Sequence, residues 1–256
     1  MMTRTLRAEL RKALTLPAVF VGCAVMAGSM VALTVLNALS ARGDDATESA
    51  VDIAFYGAPV GIVGALVIAV VLVSSEYTAN SPDAGGGRQV STSLIAMPSR
   101  MGLLVAKAIT MVLIVVPMAA VAILASIGVA MVMLDDLAGG GVGWEEGSRR
   151  ATAVIGYWML IALMALAVTV LTRSGVIPLV FFIVNSTVLP PSFLLSRVTD
   201  LAFWLPDTSG LAMLSFGIGQ SADEAALSML PGALVMAAWA LGLLVVAGLV
   251  LRRRDA

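Results

Sequence analysis

Histidine is absent from this chain of 256 residues, and cysteine occurs once. The first absence excludes His-ligated zinc, histidine-based catalytic triads and imidazole proton relays together. The second excludes an internal disulfide, and Cys23 reads as a small packing residue. Charge is scarce too, with Asp, Glu, Lys and Arg at 12% and aromatics at 5%. What fills the chain is apolar: 60% of the residues are hydrophobic, and the mean hydropathy is +1.02. A water-soluble domain cannot hide that much apolar surface in one core, so composition predicts an integral membrane protein.

Lipid offers backbone groups no hydrogen-bond partner, and apolar runs of about 20 residues suit helices rather than the alternating strands of a barrel. The expected fold class is therefore all-α, a single transmembrane domain over 1–256 with six transmembrane helices. The spans are read at about Pro17–Leu39, Gly57–Ser75, Ala108–Met133, Ala151–Leu171, Val176–Leu195 and Gly232–Leu251. The apolar run Met101–Leu134 is too long for one perpendicular crossing, so its turns up to Lys107 are expected to extend the helix beyond the membrane. Pro117 and Pro178 are expected to bend their helices. Small residues four apart, Gly57 and Gly61 with Gly64 nearby and Ala238 with Gly242, mark places of close helix approach.

None of the six span interiors carries Asp, Glu, Lys or Arg, although ion-coupled carriers usually place such groups at membrane depth. The most polar cluster within them is Asn185, Ser186 and Thr187 in the fifth span. It serves either helix–helix hydrogen bonding or the lining of a substrate path.

Orientation follows from basic residues, which accumulate on the cytoplasmic side of short loops. With the N-terminus inside, Arg4, Arg7, Arg11, Lys12, Arg88, Arg100, Lys107, Arg173, Arg252, Arg253 and Arg254 all lie inside, and only Arg42, Arg149, Arg150 and Arg197 lie outside. Acids divide the other way, with 12 of the 16 outside. A multi-pass protein of the cell membrane with both termini cytoplasmic is expected.

Residues 1–16 carry Met2, Leu6, Leu10 and Leu14 at helical spacing, with Arg4, Arg7, Arg11 and Lys12 on the other faces. That pattern predicts an amphipathic interfacial helix against anionic headgroups, bending into the bilayer at Pro17. A cleavable signal peptide is disfavoured, because the apolar stretch after Pro17 exceeds a typical h-region. The external stretch 196–231 holds two apolar pieces broken by Pro206, Gly210, Gly217 and Gly219. Half-length pieces of this kind predict re-entrant or interfacial helices between the fifth and sixth spans, with Trp204 at headgroup level.

The polar island from Glu76 to Arg100 stands out between two apolar runs and, by the charge sorting, faces the cytoplasm. Its GGGRQVST stretch fails as a P-loop, because Arg88 follows Gly87 and no Gly-Lys-Ser/Thr is in register. The glycines read instead as a flexible turn. After them, Gln89 to Met97 places Val90, Leu94 and Met97 on one side, a short amphipathic helix suited to a groove in a partner subunit.

In the order of these features the chain resembles the permease subunits of type 2 ABC transporters. The resemblance covers the whole length. It is carried by the N-terminal amphipathic helix, Ser75-Glu76-Tyr77 at the end of the second span, the glycine-rich turn, Pro98-Ser99-Arg100 before Lys107, and the broken apolar loop before the last span. It departs from the family where Thr78 to Asp83 intervene after the glutamate. The resemblance implies a permease domain without cofactors of its own, paired with a separate ATPase subunit in two copies that binds ATP and Mg. It also implies a second permease copy, as homodimer or heterodimer, with substrate passing at the dimer interface. The ATPase-coupling residues it implies are Glu76, Tyr77, Gln89, Val90, Leu94 and Arg100, though Glu76 and Arg100 also fit helix caps that face water.

The expected function is export of a hydrophobic or amphipathic substrate across the cytoplasmic membrane, with no enzymatic activity in this chain and no nucleic-acid partner. The alternatives are a secondary carrier or channel that needs no ATPase, and a membrane immunity or scaffold protein without a transport cycle.

Overall fold

A computed structural model describes residues 2–42, 49–77, 100–134, 143–187, 192, 195, 199–214 and 227–253; the side chains of Met2, Ser186, Thr187 and Asp200 lie outside that description. Among the described residues the chain is helical and contains no strand. The elements are α1 (Met2–Ala13), α2 (Pro17–Ala41), α3 (Ala50–Phe55), α4 (Ala58–Ser74), α5 (Arg100–Leu134), α6 (Trp144–Thr172), α7 (Val176–Thr187), a 3₁₀ turn (Asp200–Trp204), α8 (Pro206–Met213) and α9 (Met229–Arg253). Among the described residues five segments are long and apolar enough to cross a membrane: Pro17–Ala41, Ala50–Ser74, Arg100–Leu134, Trp144–Thr172 and Met229–Arg253. The protein is all-helical and membrane-embedded, as composition predicts.

Helix boundaries follow local chemistry. The Ser49 hydroxyl accepts from the Asp52 amide while the Asp52 carboxylate accepts from the Ser49 amide, a reciprocal cap that starts α3. Pro59 stands in the first turn of α4, where its missing N–H leaves no bond unmade. Pro178 likewise falls in the first turn of α7, so the bend expected there has no broken hydrogen bond to produce it. Arg173 adopts a left-handed φ of 53° and closes α6. The long third run forms one helix of 35 residues that continues through Pro117.

The helices at the centre are α4 and α6, whose most apolar windows are each 67% buried, against 28% for α2 and 22% for α9. Two contacts account for this. At the crossing of α2 and α4, a Cβ on Gly64 would lie 2.3 Å from the Gly22 carbonyl oxygen and 2.4 Å from the Met26 amide nitrogen, so the two backbones touch directly. One turn away Trp158 of α6 covers Gly61, and its indole N–H donates to the Ala58 carbonyl at 2.9 Å. The expected approach at Gly242 meets open space in this chain.

Cross-helix contacts define two ends of the bundle. One gathers α1, Tyr77, Arg100, Arg173 and Leu251. The other gathers Arg42 with Met133, Arg150 with Asp52, and Arg149 with Met229. Among the described basic residues of the two groups sorted from sequence, Lys12, Arg100, Lys107 and Arg173 fall at one end, and Arg42, Arg149 and Arg150 at the other. The segment after Arg173 begins with Gly175 packed on Ser74 at the first end, and Ser209 in α8 lies against Gly232 at the second. α7, described to Thr187, is too short to be counted among the five long spans.

Candidate functional site

The densest chemistry lies at the first end, where α4 finishes. The carbonyls of its last turn are all engaged: Val71 accepts from the Ser75 amide, Val73 from the Glu76 amide, Ser74 from the Tyr77 amide, and Leu72 from the Lys107 ammonium at 3.0 Å. This final turn is the negative end of the helix dipole and draws a cation. Lys107, in the second turn of α5, supplies it. The same ammonium bonds the Glu9 carboxylate at 2.8 Å and lies 2.9 Å from the Glu76 carboxylate, so its three protons face three acceptors. Lys12, one turn along α1 from Glu9, donates to the same Glu76 oxygen at 2.9 Å.

Two glutamates and two lysines thus alternate between α1, α5 and the turn that ends α4, with no net charge. The chain's only lysines are both in this joint. Glu76 and Lys107 are each 3% exposed, so the ions have lost most of their water and depend on one another. Burial pushes the Glu76 carboxyl upward, but the Lys107 and Lys12 charges beside it outweigh burial and hold it below the ordinary glutamate value. At neutral pH the carboxylate is ionised.

The flanking residues expected to matter fall at the same end. The Arg173 guanidinium sits 6.0 Å from the centre of the Tyr77 ring, a cation–π contact joining the end of α6 to the chain leaving α4. Arg100, the first residue of α5, donates to the Leu251 carbonyl at 3.0 Å in the last turn of α9. Glu76, Tyr77 and Arg100 therefore all lock helix ends together, and Glu76 is turned inward rather than toward water. Gln89, Val90 and Leu94 lie outside the described residues. Sequence reasoning missed Glu9 and took Lys12 for a headgroup contact, whereas Arg4, Arg7 and Arg11 do remain exposed. The available signal was a lone acid in a basic helix, three residues before one lysine, with a second lysine as the one charge in an apolar run.

A cavity of about 600 Å³ opens between α6, α7, α8 and α9. Asn185 lines it; Ser186 and Thr187 follow in the last turn of α7, and their side chains are outside the described residues. At the second end, Arg150 pairs with Asp52 and, at 2.8 Å, with Glu146. Among the described residues no group of three or more acidic or Cys side chains is placed to hold a metal ion. No protein-family profile matches the sequence, and no curated protein matches it.

Proposed function

We propose that this chain is the membrane subunit of an ATP-driven exporter for a hydrophobic or amphipathic substrate. Two copies, or one copy and a similar chain, would work with two copies of a separate ATPase that binds ATP and Mg. The observation that carries the reading is the buried joint of Glu76, Lys107, Glu9 and Lys12. In sequence, the stretch 78–99 follows two residues after Glu76 and ends immediately before Arg100. A force applied to that stretch reaches α1, α4 and α5 through the joint and α9 through the Arg100–Leu251 bond. Linked ends move as rigid bodies, which is how closure of an ATPase would tilt the spans.

The path of the chain from Gly175 at one end to Ser209 at the other supports a sixth crossing, with α7 as its start and α8 as an external half-length helix. The clustering of basic residues at the joint end supports cytoplasmic termini at the cell membrane.

The reading is tested by mild-detergent purification from native membranes. An ATPase subunit should co-purify, and Glu76→Gln and Arg100→Ala should each lower substrate-stimulated ATP hydrolysis several-fold while membrane insertion is unchanged. A chain that purifies alone, or full activity in both variants, refutes it. A second reading, an ion-coupled carrier, is favoured by the buried ions around Lys107, but these stand at a bundle end rather than midway along the spans. Uptake driven by an ion gradient in vesicles without ATP would select it.

A further inference from the structure

We infer that the cavity between α6, α7, α8 and α9 binds a lipophilic amine, with Asp207 as its counter-ion. Its volume of about 600 Å³ lies within the range of roughly 300–1,000 Å³ that suits a drug-sized molecule or a single-chain amphiphile. Its walls are almost wholly apolar and include Phe181, Phe182, Tyr157 and Trp239. Water gains little there, and an apolar body gains much.

Asp207, in the first turn of α8, breaks that pattern. Its Oδ2 accepts from the Ser192 amide at 3.0 Å, while Oδ1 is buried and has no hydrogen-bond partner among the described residues. Among the described residues no basic side chain forms an ion pair with it. A half-buried carboxylate on otherwise apolar walls, with one oxygen unmatched among the described residues, is a ready partner for a cation. Asp207 is the one charged residue among those that line the cavity. An ammonium with an apolar tail supplies what the site lacks: a positive charge, N–H donors for the carboxylate, and hydrocarbon for the walls. The faces of the aromatic rings favour the same charge, and the Asn185 amide offers a further acceptor. An anionic or uncharged amphiphile satisfies only the walls.

The inference narrows the amphipathic cargo of the proposed exporter to cations. It rests on that reading only in calling the ligand cargo, because binding needs this chain alone. The test is therefore made without an ATPase. The purified protein in nanodiscs of neutral phosphatidylcholine is titrated with a brominated dodecylamine, and quenching of tryptophan fluorescence is followed. Saturable quenching should disappear in Trp239→Phe. A brominated dodecanol should bind about tenfold more weakly or worse, and Asp207→Asn should bring the amine down to the level of the alcohol. Equal binding of amine and alcohol by the parent protein overturns the inference and needs no variant. So does undiminished amine binding by Asp207→Asn. Should that variant fail to fold, Leu211→Trp, which fills the cavity from α8, must abolish saturable binding, and persistence of binding overturns the inference.

Discussion

Replacing Lys107 with methionine tests whether the ionic joint holds the bundle together. The substitution keeps the length of the side chain and removes its charge, and it makes α5 more apolar, so insertion into the membrane is not impaired. Glu76 retains Lys12 at 2.9 Å, but Glu9 and the Leu72 carbonyl lose the partner that held them at 2.8 and 3.0 Å. Stranding a buried charge costs about 3–5 kcal/mol. For a chain of this size that corresponds to a fall in Tm of about 6–20 °C. Adding Glu9→Gln removes the stranded charge, so the double variant should be more stable than Lys107→Met alone, with a coupling of about 0.5–3 kcal/mol. Thermal unfolding in detergent, followed by circular dichroism, reads Lys107→Met, Glu9→Gln and the double variant. A Lys107→Met protein that melts within about 2 °C of the parent, or two substitutions whose effects simply add, would refute the interdependence of the four charges.

Glu76 gives a pH dependence of defined sign. Its folded value lies below 4.5, so its ionic contribution is full above that pH and is lost as pH falls through the lower folded value. The Tm difference between parent and Glu76→Gln should be constant near neutrality and shrink only in acid; a difference that shrinks between pH 8 and 6 would contradict this. At the crossing of α2 and α4, Gly64→Val forces side-chain atoms into the Gly22 backbone, 2.3 Å from the first of them. Little folded protein should be recovered by size-exclusion chromatography, whereas Gly242→Val, where space is open, should behave like the parent.

Long apolar runs made the helices legible, because lipid allows only helices and closed barrels, and runs of about 20 apolar residues suit helices. Their ends were less so. α6 begins at Trp144 rather than near Ala151 because Glu145, Glu146, Arg149 and Arg150 form a charged first turn and a half, stabilised by pairs at i, i+3 and i, i+4. No hydropathy window registers such a turn as part of a span. Glu76 drew attention as a lone charge beside a span, yet its partners come from α1 and α5, and pairing across 64 residues in one case is a tertiary fact with no local trace. Asp207 read as one more external acid for the same reason, since its cavity exists only where α6, α7 and α9 converge on it.

The sequence distance between partners in the ionic joint has a consequence for biogenesis. Lys107 is made 98 residues after Glu9, an interval of about 5–20 s at ordinary rates of synthesis. Through that interval α1 exists without its lysine clasp. Its exposed Arg4, Arg7 and Arg11 can rest on an anionic leaflet while α2 and α4 insert. Glu76, made 64 residues after Lys12, can take up Lys12 before α5 exists, and the arrival of Lys107 then draws in Glu9 and completes the clasp of the first helix.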